Sequence, residues 1–125
     1  MVGAANADTQ TRVTPIMRTS LWISFDLSIR ADYAGLYAWL DAHDAKECGD
    51  SVAFLKFEHE KPMPDGLDQL REDLLHALGD TPRTRVYVVC SLPAGRTLGR
   101  FIIGGRKAPP WAGFGPAAAA ATDVG

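Results

Sequence analysis

Residues Leu21–Leu27 alternate without a break: Leu21, Ile23, Phe25 and Leu27 share one face, and Trp22, Ser24 and Asp26 share the other. A period of two specifies a strand with one buried face. From Ala31 to Ala45 the period changes. Tyr33, Leu36, Tyr37 and Leu40 recur at helical spacing behind Asp32, a candidate N-cap. A half-buried strand followed at once by an amphipathic helix commits the chain to a sheet with helices laid on one face.

The rest of the chain repeats the two periods. Ala45–Cys48 can form a short strand that turns through Gly49-Asp50 into a strand over Ser51–Glu60, which Pro62 and Pro64 end. Asp65 is placed to cap a second helix, Gly66–Leu78, with Leu67, Leu70, Leu74, Leu75 and Leu78 on one side and Gly79 at its end. Arg85–Leu92 and Thr97–Ile103 read as strands joined by Pro93-Ala94-Gly95, the second interrupted at Gly99. Gly104-Gly105 ends it, and the proline-rich segment beyond is expected to dock Trp111 and Phe114 on the body. This order predicts an α+β fold: a ferredoxin-like split β-α-β sheet with two helices on one face and an extra C-terminal strand. The first strand lies centrally, and the uncovered face holds Trp22, Tyr87, Val89 and Ile102, which favours a homodimer.

At 125 residues the chain allows one domain. Residues 1–19 read as a flexible N-terminal arm, 20–115 as the domain, and 116–125, with its alanine run, as a flexible tail. A hydrophobic content of 46% against 22% charged excludes wholesale disorder. No apolar run approaches the ~20 residues of a membrane span. The N-terminus lacks a basic start and an apolar core, so a cytoplasmic protein without a signal peptide is expected. Cys48 and Cys90 form no CxxC and read as buried, reduced thiols. His43 is expected to be exposed, His59 to sit at a solvated strand end between Glu58 and Glu60, and His76 to flank the second helix.

The net charge of -2 hides a division. Residues 31–80 carry 12 acids against 4 bases, whereas 81–110 carry 6 bases and no acid. A phosphate-binding face must therefore come from the C-terminal strands, with Arg96, Arg100, Arg106 and Lys107 as its candidates. The first helix, with Asp41, Asp44 and Glu47 nearby, would repel phosphate and suits a protein partner instead.

Asp26 stands at the carboxyl end of the central strand, on the face turned from the helices. In a homodimer two such carboxylates could meet and hold Mg²⁺ or Mn²⁺, activating water against a phosphodiester. The plainer reading is that Asp26 ends the strand and caps the next turn with Ser28.

Leu21-Trp22-Ile23-Ser24-Phe25-Asp26-Leu27, followed by Asp32-Tyr33-Ala34-Gly35-Leu36-Tyr37, resembles the opening of the SinR-type relatives of the small CRISPR adaptation endonucleases, the Cas-two family. Asp50-Ser51-Val52-Ala53-Phe54 resembles the Ser-Val-Phe strand that follows their short hairpin. The resemblance spans roughly Leu21 to Ile103 and rests on these two motifs. It implies a ferredoxin-like homodimer that binds DNA or RNA, with Asp26 as the catalytic, metal-binding acid at the dimer cleft and Ser51 as a polar contact beside it. VapD-type toxins of this design cleave RNA, while the adaptation complex uses its family member as a DNA scaffold. Two further readings stand beside it: a non-catalytic protein-interaction scaffold that docks through the acidic first helix, and a ligand-sensing ferredoxin-like regulator.

Overall fold

The computed structural model describes residues 15–116. Five strands and two helices of at least ten residues follow one another: β1 (Met17–Asp26), α1 (Tyr33–Ala42), β2 (Lys46–Glu47), β3 (Val52–His59), α2 (Gly66–Leu78), β4 (Arg85–Ser91) and β5 (Thr97–Ile103). The sheet is antiparallel throughout, in the order β2-β3-β1-β4-β5. This mixed α+β arrangement is compatible with a ferredoxin-like fold. β1 is central, as its alternation requires: Leu21 pairs with Leu55 on one side and Cys90 on the other, and Ile23 with Ala53 and Val88.

The inward positions of β1, β3 and β4 form a single cluster with Leu36 of α1 and Leu67, Leu70, Leu74 and Leu78 of α2. Both helices therefore cover one side of the sheet, and among the described residues no helix lies on the other side. α1 starts where Asp32 accepts a hydrogen bond from the Gly35 N–H at 2.8 Å. It lies close against α2, with a Cβ at Gly35 overlapping the Ala77 carbonyl oxygen. Asp65 occupies the N-cap of α2 without a side-chain capping bond.

Several expectations are corrected. β1 begins at Met17, inside the segment read as an arm, because Arg18 pairs with Glu58 at 3.0 Å and the Thr19 hydroxyl meets His59 Nε2 at 2.7 Å. The arm's residues 1–14 and the tail's residues 117–125 lie outside the described residues. His59 is buried, since the alternation Ala53, Leu55, Phe57, His59 turns it into the core. There both ring nitrogens are used, Nδ1 meeting the Lys61 carbonyl at 2.6 Å. Ile102 also faces the core. Phe101 pairs with the outward Tyr87 and Arg100 with the inward Val88, so alternation along β5 turns Ile102 inward and leaves Phe101 on the uncovered side; a register shift beyond them sets Val86 opposite Ile103. β5 runs through Gly99 unbroken; the Tyr87 ring packs there, with its Oη 2.5 Å from where a Cβ would stand.

Tyr33 and Tyr37 of α1 are exposed and stack edge-on to each other at 5.8 Å, instead of joining the core stripe. Trp111 and Phe114 do not dock: they are 73% and 86% exposed. Cys48 is exposed in the turn before β3, so only Cys90 is a core thiol. Burial pushes the Cys90 thiol up in pKa, against a smaller opposing pull from Arg100. Among the described residues no helix is long and apolar enough to cross a membrane.

Candidate nucleic-acid interface

The uncovered face of the sheet is built by the odd-out positions of each strand. Cross-strand register lines up Ser20 with Lys56, Trp22 with Phe54 and Val89, Ser24 with Tyr87, and Asp26 with Arg85. Trp22 and Phe54 touch with ring centroids 4.9 Å apart, and Trp22 remains 42% exposed. Tyr87 and Phe101 form a second aromatic pair, edge to face at 4.9 Å. Two aromatic pairs on a helix-free sheet surface are unusual for a face that meets only water.

Charge gathers at one corner of this face. Arg85 donates from Nη2 at 2.7 Å and from Nε at 3.2 Å to Asp26 Oδ2. Lys107 Nζ lies 3.9 Å from the same oxygen. The Arg106 guanidinium stands 5.8 Å from the Phe101 centroid and 6.0 Å from that of Tyr87, while Arg85 stands 5.6 Å from Phe101. These are outer-limit cation–π distances. Ser24, Asp26, Arg85, Tyr87, Phe101 and Arg106 line a cleft of about 270 Å³.

Local structure fixes this corner from two sides. Behind it, the loop after β1 and the segment before β4 are tied by hydroxyls: Thr81 bonds Thr84 at 2.8 Å and Ser28 reaches Thr81 at 3.4 Å. Ser28 thus serves this cluster rather than capping a turn with Asp26. On the β5 side, Gly104 has φ of 72°, and a Cβ there would come within 2.7 Å of the Thr84 carbonyl oxygen. Glycine lets the chain fold tightly past Arg85. That turn brings Arg106 and Lys107 back over the strand ends.

The candidates named from sequence separate into two groups. Lys107 approaches Asp26, and Arg106 lines the same cleft as that carboxylate. Ser51 lies beside the end of β1, its carbonyl accepting from the Phe25 N–H at 2.9 Å. Arg100 pairs with Val88, a core position, and so stands on the helix side of the sheet edge. Arg96 lies past the far end of β4, in the turn before β5. With six residue steps along β4, that is roughly 20 Å from Arg85. Arg85, one of the six clustered bases of residues 81–110, joins the site, and cross-strand register adds Phe101 and Phe54, which the sequence did not single out.

The fit of a divalent ion depends on the donors. Oδ2 of Asp26 already carries a guanidinium and faces an ammonium. Among the described residues no three His, Cys, Asp or Glu side chains gather to hold a metal. One hard oxygen ringed by cations repels Mg²⁺ or Mn²⁺. The residues of a single chain do not fit such an ion. With three cations around one carboxylate, the corner instead carries a net charge of +2 and suits an anion.

A larger cavity, about 410 Å³, lies away from this chemistry, between α1 and the β2–β3 hairpin. Phe25, Leu40 and Val52 line it together with Asp41, Glu47 and Asp50. Its three carboxylates outweigh Lys46, so it disfavours phosphate, in contrast to the basic corner. Comparison with protein-family models, with curated proteins and with solved structures finds no match to this chain.

Proposed function

We propose that the chain binds single-stranded nucleic acid on the uncovered face of a split β-α-β, ferredoxin-like sheet. The observation that carries this reading is the convergence of Arg85 and Arg106 on the Tyr87–Phe101 pair, with Lys107 beside the neighbouring Asp26. Phosphates need cations, and unpaired bases need flat apolar surfaces; both occur here within one cleft. A duplex hides its base faces, so the aromatic pairs favour a single strand. The resemblance to the Cas-two and SinR group adds a homodimer. The outer edge of β5, which among the described residues pairs only with β4, is the seam that would join two copies and leave both faces open.

Binding of a labelled single-stranded 12-mer, followed by fluorescence anisotropy across a salt series, tests this reading. Three phosphate contacts give a log–log slope of about −2, at ~0.7 per contact. Replacing Arg106 and Lys107 together by alanine brings the slope to about −0.7 and weakens binding at least ~10-fold at low salt. Salt-independent binding, or none, removes the nucleic-acid reading. Sedimentation equilibrium addresses the dimer separately: a mass of twice 13.5 kDa is expected, and a monomer at every concentration removes the seam.

A further inference from the structure

We propose that the cleft lined by Ser24, Asp26, Arg85, Tyr87, Phe101 and Arg106 is a base-reading pocket selective for guanine. The proposal rests on the nucleic-acid reading and names what the same site recognises.

Size limits the occupant. A volume of about 270 Å³ lies just under the ~300–1,000 Å³ of sites that enclose a drug-sized ligand. It takes one planar base and leaves sugar and phosphate outside, where Lys107 and Arg106 are exposed. The Tyr87 and Phe101 rings meet at 76°, so a base lying flat on one meets the edge of the other. Arg106 can close over the opposite face of the base, since it makes no ion pair among the described residues.

Chemistry selects the base. Both hydrogen bonds and the nearby ammonium reach Asp26 through Oδ2; Oδ1 has no hydrogen-bond partner among the described residues. A carboxylate can accept from two adjacent donors. Guanine presents two adjacent donors, N1–H and the N2 amino group. Adenine and cytosine present one donor beside a bare ring nitrogen, whose lone pair would face the carboxylate. Uracil flanks its single N–H with two carbonyl oxygens, which the carboxylate repels. On the far side of the donors guanine carries O6, an acceptor, and the Asp26 carboxylate is flanked by the Arg85 guanidinium. The open Oδ1 of Asp26, with two lone-pair sites, can accept from both guanine donors, and the Arg85 guanidinium held on Oδ2 stands beside it as the donor for O6. Ion pairing alone gives little reason for Asp26: with its side chain 56% exposed, such a pair adds only ~0–1 kcal/mol of stability.

The test compares four labelled single-stranded hexamers on the full chain: all uridine, and the same with one central guanosine, adenosine or inosine. Inosine is guanosine without the N2 amino group. Two hydrogen bonds from the base to Oδ1 predict that the guanosine hexamer binds roughly 5- to 150-fold tighter than the adenosine hexamer, with inosine between them. Asp26→Asn, which puts an amide donor where an acceptor is required, erases the preference. The hexamer comparison on the unaltered protein decides the matter even if that variant folds poorly. Equal, salt-sensitive affinities for all four hexamers overturn the guanine pocket and leave the nucleic-acid reading standing. No binding to any of them overturns both.

Discussion

Phe57→Ala is expected to cost about 3–5 kcal/mol, the range for deleting a fully buried aromatic ring. Phe57 is 1% exposed, on the inner face of β3. Its ring is the floor beneath a group of side chains rather than one contact among many. Trp39 and His43 of the α1 end stand 6.5 and 6.3 Å away, and His59 stacks nearly parallel to it at 6.0 Å. None of the three can collapse into the space. His59 is held by hydrogen bonds at both nitrogens, and His43 by the Trp39 carbonyl at 2.7 Å. An unrelaxed cavity therefore adds to the lost transfer energy. For a domain near 100 residues the melting temperature falls by roughly 12–30 °C. Thermal unfolding followed by circular dichroism measures it; a drop of only a few degrees would show that β3 does not carry the end of α1.

Gly35→Ala tests the packing of the two helices, and the expected sign is opposite to propensity. In an isolated helix, alanine for glycine gains about 1 kcal/mol. Here the added Cβ overlaps the Ala77 carbonyl oxygen, and Asp32 Oδ2 stands only 2.7 Å from it. Ala77 O belongs to the backbone of α2 and cannot rotate away. α1 must lift from α2, which loosens Leu36, the one fully buried residue of α1. It also strains the Asp32 cap, which depends on the Gly35 N–H, and the Asp32 N–H bond to the Leu78 carbonyl at 3.2 Å. Overpacking of this kind costs ~1–3 kcal/mol or more, so the net result is a loss of about 2 kcal/mol. The midpoint in a urea titration reads it directly. A variant as stable as the original would mean that the helices are not in backbone contact.

How much of this was legible in the sequence depends on which physical rule each residue obeys. Leu21, Ile23 and Phe25 show their face by alternation, and Leu67, Leu70, Leu74 and Leu78 show theirs by helical spacing; both sets lie where the patterns put them. The centrality of β1 follows from the order of elements. Met17–Ser20 escaped notice because its pairing to β3 runs through Arg18–Glu58 and Thr19–His59, which are polar. Ile102 lies on the opposite face from the one expected because alternation gives two faces but not which of them is inward; the pairing of Arg100 with the buried Val88 decides it. The same limit applied to the site. Clustered basic residues pointed to the C-terminal strands, yet only cross-strand pairing separates Arg85 and Arg106 from Arg96 and Arg100. Asp26 was visible as an acid at a strand end; the guanidinium opposite it, 59 residues away in sequence, was not.

The central place of β1 has a temporal side. A chain is made from its N-terminus, so the middle strand of this sheet is synthesised first and its two neighbours follow at different times. β3 closes one edge early. The other edge stays open until Arg85–Ser91 emerge, after the whole of α2. During that interval Leu21, Ile23 and Phe25 lie on a strand with a free edge and a half-made core, the state most open to pairing with the wrong chain. Completion of the native sheet therefore waits on its fourth strand, and the hazard of that interval is confined to the β4-facing edge of β1.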